Sequence, residues 1–179
     1  MPDANKSTAT KPGSRVRELG LVLPRTPTPL GAYVEASEAG PLLFLSGILP
    51  VMDRKLSVTG RLGENLSVEQ GREAVRVAAM NALAVAQQHL GDLDRVKKLV
   101  KLSVVLATTE QFVDHAAVAD GASDLFVQLF GTENGHARIV YGVQSLPIGT
   151  PVVVEVIFEI ESEFQRSVSN PGGLDAPGS

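Results

Sequence analysis

The sequence predicts a single α+β domain in which a mixed β-sheet carries two helices on one face. Segments with strand and helix patterns follow one another in the order β-β-β-α-β-α-β-β, which is typical of this class. The chain has 179 residues, enough for one domain with its own core, and 44% of them are hydrophobic. It contains no cysteine and only 4% aromatic residues, so Val, Leu and Ala must build that core.

The two ends of the chain differ in composition from the middle. Residues 1–13 are polar, contain proline and glycine and show no periodicity, which predicts a disordered arm. Residues 164–179 have the same character and are predicted to form a disordered tail. The single domain is therefore predicted to span residues 14–163.

The first part of the domain is predicted to contain a short helix and three strands. Ser14 can cap the helix, and Gly20 ends it. After a segment with three prolines, residues 32–37, 42–50 and 55–60 have the composition of β-strands.

The two longer helices are predicted from capping residues and from the spacing of apolar side chains. Ser67 and Gln70 have the spacing of a capping box, and the helical pattern that follows continues up to Gly91. A strand-like run ends the segment 95–109, and a second helix is predicted over residues 110–130.

The last two strands are predicted at residues 137–143 and 151–160, and their order alone pairs them as a hairpin. The second of them is apolar at nearly every position, which is typical of a strand that is covered on both faces. Because the helices cover only one face of the sheet, we expect a partner subunit to cover the other.

Two charged residues within these strands are candidates for a functional site. Glu155 interrupts the apolar run of the last strand, and a carboxylate in such a setting is an acid–base candidate. Arg138 lies among apolar residues, and its planar guanidinium can bind a carboxylate through two parallel hydrogen bonds. The alternative is a structural salt bridge between Arg138 and Glu155 or another acid.

Composition disfavours several other classes of function. Without cysteine the chain has no thiol nucleophile or thiolate zinc site, and His89, His115 and His136 lack the spacing of a metal site, so no metal or cofactor is expected. The net charge of −4 and the absence of tryptophan disfavour nucleic-acid binding. No apolar run reaches the roughly 18–20 residues of a membrane span, and no signal-peptide pattern precedes the domain, so we expect a cytoplasmic protein without membrane partners.

Five sequence segments are distributed over most of the domain in a recognisable order. They are GAYVEA at 31–36, LFLSGILP at 43–50, GDLDRVKKLVKLSVVL at 91–106, HARIVYGVQSLP at 136–147 and VEVIFEIE at 154–161. In this combination they resemble the Rid family of reactive intermediate deaminases, also called the YjgF/YER057c/UK114 family. The resemblance covers residues 14–161 and is closest to a longer branch whose members are often labelled endoribonuclease L-PSP-like.

The resemblance implies a fold, an assembly and an activity. The implied fold is chorismate-mutase-like, and in it the final strand lies inside the sheet instead of beside the preceding strand. The implied assembly is a homotrimer with ligand sites in the clefts between subunits. Deaminases of the family hydrolyse enamine or imine intermediates, such as 2-aminoacrylate, to a keto acid and ammonia without a cofactor or metal.

The resemblance also implies roles for individual residues. Arg138 matches the arginine that binds the substrate carboxylate, and Glu155 matches the glutamate that positions water. Tyr33 and Ser46 match the tyrosine and serine that line the pocket. Gly47 follows that serine, at a point where backbone can closely approach a ligand.

Two positions depart from the pattern of the family deaminases. Val140, among the residues expected to contact substrate, stands where many of them have cysteine, and Gly142 stands where they commonly have an acid. Three functions therefore stay open: hydrolysis of imines that carry a small carboxylate, non-catalytic binding of an imino or keto acid by a trimeric protein, and RNA cleavage. RNA cleavage is disfavoured because the chain has few basic and aromatic residues with which to bind RNA.

Overall fold

The computed structural model describes residues 11–26 and 31–161, so the predicted arm up to residue 10 and the predicted tail 164–179 lie outside the described residues. The strands are Ala36–Ala39 (β1), Leu42–Leu45 (β2), Val51–Met52 (β3), Lys55–Leu56 (β4), Val96–Ala107 (β5), Ala137–Val143 (β6) and Val152–Ile160 (β7). The α-helices are Pro12–Glu18 (α1), Val68–Leu90 (α2) and His115–Phe130 (α3). Five strands form one sheet in the order β1-β2-β7-β5-β6, and β3 pairs with β4 in a separate hairpin.

The final strand, β7, lies in the middle of the sheet. It pairs antiparallel with β2 on one side and with β5 on the other, whereas β6 pairs parallel with β5 at the sheet edge. The predicted hairpin of the last two strands is therefore wrong, and the central position implied by the family resemblance is confirmed. Parallel pairing is possible here because α3 forms the long crossover that connects β5 to β6.

Helix α2 begins and ends as the sequence predicts. The backbone N of Gln70 donates to Ser67 Oγ at 3.2 Å, and the Gln70 side chain accepts from the backbone N of Ser67 at 2.9 Å. Gly91 ends the helix in a left-handed conformation with φ of 75°. Among the described residues, no helix combines the length and apolarity that a membrane crossing requires.

The first helix begins earlier than predicted. Pro12 occupies its first turn, where a missing N–H costs no helical hydrogen bond, so Ser14 lies within the helix instead of capping it. The backbone N of Gly13 donates to Asp94 Oδ1 at 2.7 Å. Pro12 and Gly13, which the sequence predicts as the end of the arm, therefore lie in a helix that is bonded to the rest of the fold.

Two further elements are shorter in the structure than in the prediction. The second long helix begins at His115 instead of residue 110. The strand predicted at 55–60 is limited to β4, and its partner β3 lies directly after the strand predicted at 42–50. Asp53 and Arg54 form the turn of this hairpin, and both have positive φ angles.

The core lies between one face of the five-stranded sheet and helices α2 and α3. Alternate residues of β7 from Val152 to Ile160 are fully buried on this face. Among them, Phe158 packs against Phe126 and Phe130 of α3, with ring centroids 5.9 and 6.1 Å apart. The predicted arrangement of both long helices on one face of a mixed sheet is confirmed.

The opposite face of the sheet is only partly covered in the single chain, by the loop after β2, which lies against Val153. On β7 it carries Val153 and Ile157, which are half-buried, and Glu155, which is exposed. On β6 it carries Ile139 and Tyr141, which are 49% and 47% exposed. We call these five residues the open sheet face. The sequence predicts that the last strand is buried on both faces. In the single chain it is fully buried only on the face that packs against the helices.

One buried polar residue connects α2 to the loop that follows β2. Asn81 is fully buried, and its Nδ2 donates at 2.9 Å to the backbone oxygens of both Leu49 and Val51. Leu49 O also accepts from the backbone N of Val51 at 3.0 Å, and the bonds from Asn81 fix this backbone turn against the helix.

We predict that Asn81→Leu destabilises the protein although it conserves side-chain size. Both carbonyls would lose the bond from Asn81, which should lower the free energy of unfolding by about 1–3 kcal/mol and the melting temperature by roughly 2–12 °C. Calorimetry of the parent and the variant measures both quantities. Gln87→Leu, an exposed position on the same helix, is the control; a loss no larger than that of the control would contradict this role of Asn81.

Candidate functional site

A cavity of about 1280 Å³ opens between the loop after β2, the β3–β4 hairpin and the turn before β7. Three residues that the sequence assigns to a ligand pocket line it together, namely Tyr33, Ser46 and Gly47. Most of the remaining wall is apolar, and Val105 and Val153 of the central strands form part of it. A concave, mainly apolar site with a few polar groups is the usual form of a small-molecule site.

Hydrogen bonds to the segment before β1 fix Ser46 in the cavity. Its Oγ donates to the backbone oxygen of Val34 at 2.7 Å, and its backbone N donates to the backbone oxygen of Glu35 at 3.0 Å. Tyr33 lies two residues before Glu35 and is 48% exposed. The serine loop and the tyrosine segment therefore form one wall of the cavity.

Gly47 is required by close packing behind this wall. A Cβ atom at position 47 would lie 2.9 Å from Cγ1 of Val153, closer than carbon atoms normally approach. The loop backbone can therefore lie directly on β7 only if residue 47 has no side chain.

Arg138 lies on the helix face of the sheet and does not line this cavity. In the parallel pairing of β5 and β6 it stands beside Leu102, which is fully buried against the helices. Its Nη1 donates to Asp120 Oδ1 at 2.7 Å and to Ser123 Oγ at 3.0 Å, both on α3. Within the single chain, Arg138 therefore forms the structural salt bridge that the sequence left open, and its partner is Asp120 instead of Glu155.

These contacts use only one nitrogen of the Arg138 guanidinium. Its Nε and Nη2 donate no hydrogen bond within the described residues, and 26% of the side-chain surface is exposed. Asp120 is also 4.0 Å from Nη1 of Arg72, whose Nη2 contacts Asp124 at 2.8 Å. The guanidinium is therefore held in place on one side and keeps one edge, Nε and Nη2, for a further acceptor.

Glu155 lies on the open sheet face, opposite to Arg138. Its partner in the adjacent strand is Ser103, and the next residue in that register is Ile139, which also belongs to the open face. The carboxylate is exposed in the single chain, although apolar residues flank it on both sides along the strand. Arg138 and Glu155 are not brought together within one chain.

The two positions that depart from the family pattern have different surroundings. Val140 is half-buried and packs against the core on the helix side of β6. At Gly142 a Cβ atom would lie 2.4 Å from Thr108 Oγ1 and 2.6 Å from His115 Nε2. The side chains of Thr108 and His115 therefore fill the space that a side chain at position 142 would need.

The structure adds Glu35 to the cavity, a residue that sequence reasoning missed. Glu35 is half-buried, and its carboxylate has no partner among the described residues. Burial raises the pKa of this carboxyl above its ordinary value. Its position two residues after Tyr33, in the same motif, is the only sequence signal that could have suggested it.

His136 lies near Arg138. Its Nε2 is 3.1 Å from Ser123 Oγ, the same hydroxyl that accepts from Arg138. Burial lowers the pKa of His136, and the positive charge of Arg138 lowers it further. No cluster of three or more His, Cys, Asp or Glu residues suited to a metal occurs within residues 11–26 and 31–161.

The fold and most of the chain match one family. The family model described as "YjgF/chorismate_mutase-like, putative endoribonuclease" matches residues 13–160. The chain belongs to the YjgF family. The start of the match at residue 13 agrees with the helix α1, which lies within the domain.

Relatives of this YjgF-family chain match over nearly their whole length. Protein TCP17 of Trypanosoma cruzi is 40% identical over 150 residues, which cover 83% of this chain and 94% of that protein. The RutC family protein y4sK of Sinorhizobium fredii is 31% identical over 134 residues, covering 75% of this chain and 91% of that protein. The crystal structure named as a putative endoribonuclease from Shewanella oneidensis has a TM-score of 0.80 at 34% identity, covering 84% of this chain and all of that one.

We predict a pH-dependent effect of Glu35→Gln on stability. Since burial raises the folded-state pKa of Glu35, the ionised carboxylate destabilises the fold once the pH passes that pKa, and below the unfolded pKa, at about pH 4, no such cost exists. The variant should therefore melt higher than the parent near pH 7, and the difference should shrink as the pH falls toward about 4.

Melting temperatures of the two proteins over this pH range provide the measurement. Glu110→Gln, on an exposed glutamate outside the cavity, is the matched control and should not show the same trend. A parent and Glu35→Gln that differ by a constant amount at every pH would contradict the effect of burial.

Proposed function

We propose that this YjgF-family protein hydrolyses imines, and the enamines in equilibrium with them, that carry a carboxylate, and that it releases a keto acid and ammonia. The observation that supports this function is the geometry of Arg138. Asp120 and Ser123 hold its guanidinium through Nη1, which leaves Nε and Nη2 to bind a carboxylate in two parallel hydrogen bonds. Family membership supports the coarser statement of a role in processing small molecules.

The proposed site is shared between neighbouring subunits of a homotrimer. Arg138 lies on β6, an edge strand, and the cavity lies beside the open sheet face on the other side of the sheet. Ile139 and Tyr141, on the same strand, are half-exposed apolar residues that a neighbouring subunit would cover. In the proposed trimer, Arg138 of one subunit therefore completes the cavity of the next.

The reaction needs only groups that these two surfaces supply. Arg138 binds the carboxylate of the substrate. Tyr33, Ser46 and the backbone at Gly47 enclose the end of the substrate that carries the imine. Glu155, two residues from Val153 of the cavity wall, orients a water molecule and accepts its proton as oxygen attacks the imine carbon. Glu155 returns this proton to the nitrogen of the resulting carbinolamine. The C–N bond then breaks with its electron pair on nitrogen, which leaves as ammonia after taking the proton that the hydroxyl group loses as it becomes the keto group.

One observation favours a second function, the binding of a carboxylate without turnover. Asp120 lies 2.7 Å from Arg138 and offsets much of its charge, and Val140 supplies no thiol where many family deaminases have one. The same Arg138 would then bind an imino or keto acid as a regulatory ligand. RNA cleavage, suggested by the name of the Shewanella relative, fits less well because a net charge of −4 opposes an RNA backbone.

Ammonia release from an imino acid that is generated in the assay distinguishes these functions. A parent protein that accelerates release supports hydrolysis. A parent that binds pyruvate in a titration but does not accelerate release supports the binding function. A parent that does neither contradicts both.

We predict opposite effects of two substitutions at the guanidinium. Arg138→Lys keeps the charge but loses the planar pair of donors, so carboxylate binding and any hydrolysis should fall by about 100-fold. Asp120→Asn keeps an oxygen for Nη1 but removes a negative charge 2.7 Å away, so carboxylate affinity should rise several-fold. Titration calorimetry measures the affinities.

Asp124→Asn is the matched control for this pair, because Asp124 contacts Arg72 and not Arg138. Its affinity should stay close to that of the parent. Arg138→Lys with unchanged carboxylate affinity would overturn the role of Arg138 and leave its contact with Asp120 purely structural.

We also predict that two inactive variants restore activity when they assemble together. A trimer that contains both Arg138→Lys and Glu155→Gln chains can form intact sites from an unaltered Arg138 of one chain and an unaltered Glu155 of its neighbour. With equal, random mixing, about a quarter of the sites should be intact. Co-expressed chains are compared with each variant alone, and light scattering verifies a mass of three 18.9 kDa chains. Hydrolysis by the parent without recovery in the mixture would contradict a shared site.

A further inference from the structure

All strained non-glycine backbone in the described residues lies at the cavity. Three non-glycine residues there have positive φ angles: Asp53 at 49°, Arg54 at 65° and Ile148 at 51°. Each of the three lines the cavity. Positive φ is unfavourable for residues with a Cβ atom, and such residues tend to collect at functional sites. The hairpin tip and the turn before β7 are therefore strained where they line the cavity.

Ile148 is the most informative of these residues. A β-branched side chain is poorly compatible with positive φ, and glycine, which suits such a turn, follows directly at position 149. The Ile148 side chain is 61% exposed, so packing within the chain does not compensate for the strain. Met52, which also lines the cavity, is likewise apolar and is 53% exposed.

The size and charge of the cavity indicate that it distinguishes ligands by their apolar groups and not by their charge. Its volume of about 1280 Å³ exceeds the roughly 300–1,000 Å³ of ordinary small-molecule sites. Its charged lining residues are two arginines, Arg25 and Arg54, and two acids, Glu35 and Asp53, so their formal charges offset one another. The exposed apolar wall then provides most of the selectivity.

We propose that this cavity is a side-chain subsite for imino and keto acids with bulky apolar side chains, branched or aromatic, and that Ile148 and Met52 contact that side chain. The proposal rests on the proposed function, in which Arg138 holds the carboxylate. Small acids such as pyruvate use only the carboxylate site. A bulky side chain also removes apolar surface of Ile148 and Met52 from water, which compensates for the strained turn upon binding.

Three keto acids test this subsite by titration with the full-length protein: pyruvate, 4-methyl-2-oxopentanoate and phenylpyruvate. The two bulky acids should bind the parent at least about tenfold more tightly than pyruvate, as expected for added apolar groups in a matching pocket. Ile148→Gly should lower their affinity about tenfold and leave that of pyruvate unchanged. Because glycine adopts positive φ without strain, the variant should melt at the same or a higher temperature than the parent.

Val113→Ser is the control, because Val113 is 81% exposed and does not line the cavity. Equal binding of all three acids by the parent would overturn the subsite and leave the proposed function intact, whereas no binding of any acid would overturn both. Ile148→Gly with undiminished affinity for the bulky acids and a smaller mass in light scattering would identify Ile148 as a subunit contact, and this too would overturn the subsite.

Discussion

The central position of β7 is the constraint on which the rest of the structure depends. Side chains of a strand alternate between the two faces of its sheet, and here the faces have different environments. On one face Phe158 and its neighbours pack against α2 and α3 and form the core. On the other face the half-buried Val153 and Ile157 flank Glu155, which the chain itself leaves exposed. The same alternation on β6 directs Arg138 to the helices and Ile139 to the open sheet face.

Because of this alternation, the candidate site residues can meet only when chains assemble. Register fixes Arg138 and Glu155 on opposite sides of one sheet, and no side-chain rotation can carry either group through the strands. If both act on one substrate, they must come from different chains. Two separate features support the proposed assembly: the open sheet face, which the chain leaves partly exposed, and the candidate site residues, which cannot meet within one chain.

A salt bridge and a ligand site are compatible at Arg138. The guanidinium has five donors in a planar arrangement, and Asp120 and Ser123 engage only those of Nη1. These contacts orient the group and reduce its entropy loss on binding, while the charge of Asp120 weakens its attraction for an anion. At the cavity, residues with a strained backbone are exposed where a ligand can contact them.

The sequence by itself determined the elements and the family, because these depend on local signals. The capping box at Ser67, the helix end at Gly91 and the apolar alternation of the last strand each arise from nearby residues. Hairpin pairing of the last two strands failed because pairing depends on contacts with β2 and β5, which are distant in sequence. The start of α1 was misplaced for a similar reason, since Asp94 holds Gly13 from 81 residues away.

The residues of the candidate site divide in the same way, into those that sequence motifs predicted and those that only the tertiary structure located. Sequence motifs identified Tyr33, Ser46 and Gly47, and the tertiary structure brings them into one cavity because the loop after β2 lies against the segment before β1. Only the tertiary structure decided that Glu35 shares this cavity, that Arg138 contacts Asp120, and that Glu155 is exposed on the other face. Burial, charge neighbours and the side of a sheet that a residue occupies are properties of the packed chain, and no local pattern encodes them.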